Sequence, residues 1–203
     1  LQEIHAEDLR FSDDDVRHLL NQNLHLSLTA AQIQALRRRT EGWAAGLQLA
    51  ALSLEKASDK ADFVDGFSGS HRYVTDYLTE EVLRHQPYDI QNFLLLTSVT
   101  DRMCAELCNA LLDIENSQDI LNYLEAHNLF VIPLDHERIW YRSHHLFADL
   151  LRQRLKQRNT SDHKNALKVV SEWHREQGHS EEAVAFAFAT GDMSYAAEML
   201  TPL

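Results

Sequence analysis

Leu129-Phe130-Val131-Ile132-Pro133-Leu134-Asp135-His136-Glu137-Arg138-Ile139-Trp140-Tyr141-Arg142 is where the hydrophobic period of this chain shifts to two. Two β-rich runs flank the charged Asp135-His136-Glu137, which reads as a hairpin. Pro133 has no N–H to give a ladder and marks an edge position. Upstream the period is helical. Pro87 is well placed in the first turn of a helix reaching about Ser98, with Ile90, Phe93, Leu94 and Leu95 apolar. A second helix is expected over 103–112 and a third over 117–126, with Ile120, Leu121 and Leu124 facing in. Downstream a helix resumes at His144 through Leu146, Phe147, Leu150, Leu151 and Leu155.

Three helices, a hairpin and a further helix over 87–158 are the sequence order of a winged-helix module with an extra helix after the wing. Beyond Asn159-Thr160 the pattern is helical over about 162–177, 180–190 and 192–200. Gly178 and Gly191 fit C-terminal stops, and Ser180 with Glu181 and Glu182 fits a helix start. These pieces look like the opening of a helical-repeat array, although a repeat period needs about three units to establish.

Ahead of the hairpin module, residues 1–11 alternate briefly and suggest one short strand of a sheet completed elsewhere. Ser12 before Asp13, Asp14 and Asp15 is a helix start, because the hydroxyl caps free N–H groups and the carboxylates favour the positive dipole end. Thr29 and Gln32 form a capping-box pattern for a second helix. Thr40 is expected to cap a third, from 41 to about 56, carrying Trp43, Leu47, Ala50, Ala51 and Leu54. Gly42 and Gly46 fall inside it at a cost of up to about 1 kcal/mol each relative to Ala. They suggest either tight helix packing or close approach of another backbone or a ligand. The polar stretch 57–70 reads as a linker around a short helix near 61–67.

Composition narrows the function. The chain has 203 residues with six glycines and three prolines, far below the average combined usage of roughly 12%. Its apolar content of 44% suffices for a buried core. The expected class is mainly α. Lys and Arg number 19 against 31 Asp and Glu, a net charge of −12. Nonspecific DNA affinity comes largely from Lys and Arg, so direct contact with phosphate backbones is disfavoured, and the wing itself is not basic. Cys104 and Cys108, four apart, read as two small buried residues in a reducing compartment, with weak metal binding as the other reading. No run approaches the roughly 20 apolar residues of a membrane span. The opening Leu1-Gln2-Glu3-Ile4 shows no leader, and a cytoplasmic central segment of a longer chain is expected.

Sequence signatures of catalysis are missing. No glycine precedes a lysine in a GxxxxGK[ST] loop, and GxGxxG, HExxH and GxSxG are absent, so catalytic and metal residues are expected to number none. His144 and His145 are adjacent, point about 100° apart on a helix and cannot readily chelate one metal together. One of them can sit where hairpin meets helix, at free N–H groups that attract anions. A histidine of the core or the surface is the other reading.

Several ordered motifs then carry a resemblance over essentially the whole chain. Thr40-Glu41-Gly42-Trp43-Ala44-Ala45-Gly46-Leu47-Gln48-Leu49-Ala50 resembles the TEGWxAGLxLA segment of MalT-like, large ATP-binding regulators of the LuxR family. Phe67 to Val74, Asp76-Tyr77-Leu78, Glu80 to Leu83, Phe93 to Ser98, Asn128-Leu129-Phe130 and Trp140 to Leu151 continue it in order. The resemblance implies a signalling ATPase with a nucleotide-binding domain, a winged-helix domain, a superhelical sensor array and a C-terminal helix-turn-helix. It places residues 1–70 at the end of the nucleotide-binding domain and its helical linker, 71–158 in the winged-helix domain and 159–203 at the start of TPR-like sensor repeats. In related signalling ATPases a GLPLA segment lines the adenine side of the pocket. Gly46, Leu47 and Gln48 take those positions here, with Gln48 in place of Pro. A winged-helix histidine of those relatives faces the ADP β-phosphate within an HDLL-like motif, and His144 is the matching residue. ATP or ADP is thus implied for the full-length protein, without tight binding to this segment alone. The implied partners are the rest of its own chain, an inducer small molecule or regulatory protein through the repeats, and further copies on activation. DNA would be reached only through a C-terminal domain outside these residues. The expected function is coupling nucleotide state to activation of DNA binding; a helical protein–protein scaffold without nucleotide dependence is the alternative.

Overall fold

A computed structural model of the chain describes residues 9–57 and 59–200. It divides into two compact units, Leu1–His85 with His144–Leu150, and Gln86–Ser143 with Leu151–Leu203. The strand expected near the N-terminus falls mostly on 1–8, outside the described residues.

In the first unit the caps act as their sequences predict. The Ser12 hydroxyl accepts the N–H of Asp15 while the Asp15 carboxylate accepts the N–H of Ser12, opening α1, Asp13–Arg17. The reciprocal pair Thr29 and Gln32 opens α2, Ala30–Thr40. Between them the chain runs as a π-helix over His18–Asn23, and Asn21 pins the following loop by bonding both the N–H and the carbonyl of Leu28 at 2.7 and 2.8 Å. Thr40 departs from expectation. It is the last residue of α2, its hydroxyl donates back to the Leu36 carbonyl at 2.8 Å, and Glu41 and Gly42 follow with φ of 52° and 73°. Helix α3 therefore begins later, at Ala44–Leu54, with Trp43 at its cap. Gly42 lies in the turn, where a Cβ would stand 2.6 Å from the Phe11 carbonyl oxygen. One of the two glycines thus answers to a neighbouring backbone. The linker carries α4, Lys60–Gly66, and beyond it α5, Arg72–Tyr77, continues as π- and 3-10-helix through His85. Leu20, Ile33, Leu36, Leu47, Leu54 and Leu78 are fully buried beneath these elements.

The second unit has the expected winged-helix order. Helices α6, Tyr88–Thr97, α7, Ala105–Leu112, and α8, Ser117–Ala126, precede β1, Val131–Pro133, and β2, Tyr141–Ser143. The strands pair antiparallel with Val131 opposite Ser143 and Pro133 opposite Tyr141. They are shorter than the β-rich runs, because Phe130 turns into left-handed backbone (φ 62°) and the loop folds onto the Asp135 carboxylate. On its other side Tyr141 exchanges backbone bonds with Met103 at 2.8 and 2.9 Å, so β1 is the edge strand.

Helix α9, His145–Arg158, contributes His145–Leu150 to the first unit and the remainder to the second. Then come α10, Thr160–Glu176, α11, Ser180–Ala189, and α12, Met193–Met199, with Gly178 and Gly191 in left-handed backbone at the two turns. Ser180 is the first residue of α11, and His179 holds the cap position that the sequence assigned to it. A core of Val99, Leu107, Leu155, Leu167, Val170 and Trp173 ties α10 to the three-helix part. Cys104 lies in this core, and Cys104 and Cys108 are both buried free thiols. Among the described residues no helix is long and apolar enough to cross a membrane.

Candidate functional site

The sequence-predicted residues converge, in part, on the start of α9. His144 lies between β2 and α9, 5% exposed, and its carbonyl accepts the N–H groups of Phe147 and Ala148 that open the helix. Its Nε2 lies 3.0 Å from the Thr40 carbonyl oxygen. A carbonyl only accepts, so Nε2 carries the proton and donates. The left-handed turn after α2 aims the next side chain at the same place. Glu41 Oε1 accepts the backbone N–H of His145 at 3.2 Å and lies 3.6 Å from His145 Nε2, while Oε2 is 3.7 Å from Arg10. The Glu41 side chain is only 8% exposed. A helix N-terminus favours a negative charge, and here the chain supplies one from its own residues.

Trp43 joins the remaining pieces. Its indole stands edge-on to the His144 ring with centroids 6.0 Å apart and tilted against Tyr77 at 5.7 Å. A Cβ at position 46 would lie 2.6 Å from the same indole, so Gly46 makes room for it. Gly46 and His144 thus meet on one ring. Leu47 is fully buried in the core of the unit and Gln48 is exposed on α3. Gly69 supports the site from below. A Cβ there would fall 1.7 Å from the Leu146 carbonyl oxygen, and its N–H reaches Asp149 at 3.4 Å. Beside this contact is a cavity of about 180 Å³ lined by Arg38, Arg39, Phe67, His145, Leu146 and Asp149. Sequence reading missed Glu41 and Gly69. Glu41 looked like the first residue of a helix and Gly69 like a linker glycine.

The arrangement does not present an open phosphate cradle. The His144 Nε2 proton is given to Thr40, and the N–H of His145 meets a carboxylate, which repels an anion. A phosphate contact by His144 requires both bonds to be exchanged. Among the described residues no cluster of His, Cys, Asp or Glu has the arrangement of a metal site.

A second, larger cavity of about 440 Å³ lies in the second unit, between the 100–102 turn, Trp140 beside the wing, and the α10–α11 hairpin. His174 stacks on Phe186 there with ring planes 6° apart, and Trp140 stands edge-on to Trp173. Burial holds the His174 pKa below the usual histidine value, an effect that Glu182 opposes and His179 adds to.

Comparison with known proteins bears on both units. Residues 79–163 match the family model of the MalT winged-helix domain. Across 200 residues, 98% of its length, the chain is 37% identical to the serine/threonine-protein kinase PknK of Mycobacterium tuberculosis and equally to that of Mycobacterium bovis, covering 18% of each. It is 30% identical over 204 residues to the HTH-type transcriptional regulator MalT of Cronobacter sakazakii, covering 22% of that protein. The chain spans about a fifth of the length of the curated relatives it matches.

Proposed function

We propose that this MalT-like chain, whose residues 79–163 belong to the MalT winged-helix family, is the central regulatory segment of an ATP-dependent, LuxR-type transcriptional activator. One observation carries the reading: the same segment recurs in a protein named a kinase and in one named a transcriptional regulator. A part shared by two outputs is suited to regulation rather than to either output. The proposed role is to couple the nucleotide state of a neighbouring domain to release of a DNA-binding, self-associating form. Neither catalysis nor operator recognition is assigned to these residues.

The chain's own residues supply a device for such coupling. Two bonds fasten the turn after α2 to the start of α9, Thr40 to His144 and Glu41 to His145. In the proposed switch an anion competes for the same donors and replaces each bond, which would give the fastening a second arrangement. His144, Gly46, Leu47 and Gln48 remain the proposed nucleotide-side residues; the geometry favours His144 and Gly46, which share the Trp43 ring.

The test is calorimetric titration of ADP into the protein that contains these residues together with its nucleotide-binding domain. His144→Ala is expected to weaken ADP about tenfold or more, and Glu41→Gln, which removes the competing charge, to tighten it. Equal affinities in all three proteins overturn the coupling. A second reading, a scaffold that binds protein without nucleotide, rests on the exposed Leu134 and Ile139 beside the wing and Phe188 and Met193 on α11 and α12. Capture of a specific partner with unchanged affinity in the absence and presence of ADP would favour it.

A further inference from the structure

We propose that the cavity beside Trp140 is a binding site for a free α-amino acid with an aromatic or large apolar side chain. Its volume of about 440 Å³ falls within the roughly 300–1,000 Å³ of small-molecule sites. Part of its wall is aromatic: Trp140 and Phe186, each partly buried against the core, with His174 stacked on Phe186. Such faces accept a flat or bulky apolar group.

The charges decide the ligand's head. Three charged residues other than histidine line the cavity, Asp101, Arg102 and Glu182. Asp101 is already bonded to Arg152 at 2.6 Å. Arg102 and Glu182 are not committed: among the described residues neither side chain takes part in an ion pair or a hydrogen bond, with each other or with a third residue. Arg102 comes from the turn before α7 and Glu182 from α11, so two uncommitted charges of opposite sign enter one space from different elements. A simple anion would leave Glu182 opposing it, and a simple amine would leave Arg102 opposing it. A zwitterion satisfies both, its carboxylate meeting the guanidinium and its ammonium meeting the carboxylate. Both side chains are long and exposed at the mouth, so they can close on adjacent groups of one molecule while the aromatic wall takes its side chain. The site is independent of the nucleotide reading.

L-Phenylalanine, phenethylamine and 3-phenylpropionate are the probes, titrated calorimetrically into a protein containing the whole of this chain. The expected result is one L-phenylalanine site, with both analogues weaker by about tenfold or more because each leaves one charge of the site unmatched. Arg102→Gln should weaken L-phenylalanine, which loses the partner of its carboxylate, and should tighten phenethylamine, which loses an opposing charge. Glu182→Gln should do the mirror image with 3-phenylpropionate. Both substitutions are at exposed positions and leave the core intact. Absence of L-phenylalanine binding at millimolar concentration, equal binding of all three probes, or binding indifferent to both substitutions overturns the assignment.

Discussion

The start of α9 and the cavity beside Trp140 draw on the same residue types, histidine, arginine and carboxylate, and use them in opposite ways. At the helix start Glu41 is withdrawn from solvent and bonded to the His145 N–H, and His144 donates to Thr40. At the cavity Arg102 and Glu182 stay apart and exposed. The difference is one of backbone preparation. The left-handed pair Glu41 and Gly42 turns a carboxylate onto a helix terminus, whereas Arg102 and Glu182 come from segments eighty residues apart that meet only through the packing of α10 and α11. Charges that the fold delivers to each other make an anchor. Charges that it delivers to a common space make a receptor.

The largest effect that would break the anchor is steric. Gly69→Ala places a methyl group on the Leu146 carbonyl, against backbone that cannot swing away, and is expected to cost about 3 kcal/mol or more in urea unfolding. A change within experimental error would show that the contact is not tight. An intermediate effect sharpens the view of the cavity. Burial lowers the folded-state pKa of His174 below the ordinary histidine value of about 6.5, so the unfolded chain binds more protons as pH falls through that value. Stability is therefore fully present above pH 6.5 and is lost below it. His71 and His163 act in the same direction, each by burial. Thermal unfolding between about pH 5 and pH 7.5 should show His174→Gln with a shallower slope than the parent, and parallel slopes would contradict a buried neutral His174. The smallest effect concerns the core that backs the cavity. Burial pushes the Cys104 thiol up to about 11 and the Cys108 thiol higher still. Neither should react with iodoacetamide at neutral pH until the chain unfolds. Rapid labelling of Cys104 in the native protein would place the cavity's backing in contact with solvent.

Much of the fold is legible in the residues because its signals are local. The period-two runs around Asp135 mark the wing, Pro133 marks its edge, and the pairs Ser12 with Asp15 and Thr29 with Gln32 form both halves of their caps. Thr40 shows where local logic fails. Its hydroxyl can cap a helix ahead or bond back to the turn behind, and the choice went to Leu36 because the two residues after it adopt left-handed backbone. Gly69 shows a second limit. Its reason for being glycine is a carbonyl on α9, far along the chain, and nothing in Ser68-Gly69-Ser70 announces that neighbour. His144 was found through motif resemblance, and its position at the junction of hairpin and helix follows from the elements on either side. Its bond to Thr40 does not. The cavity was hidden for the same reason as Gly69, since its walls come from three separate stretches of chain.

Pro133 sets the direction in which this small sheet can be extended. On the inner side Met103 has already taken the free edge of Tyr141, while on the outer side the proline offers no donor for another strand to register against. A strand reaching the wing from outside finds the N–H of Pro133 missing from any ladder, so more of its recognition falls to side chains, among which Leu134 and Ile139 are exposed and apolar. The wing is thus blunted toward strand addition on this side.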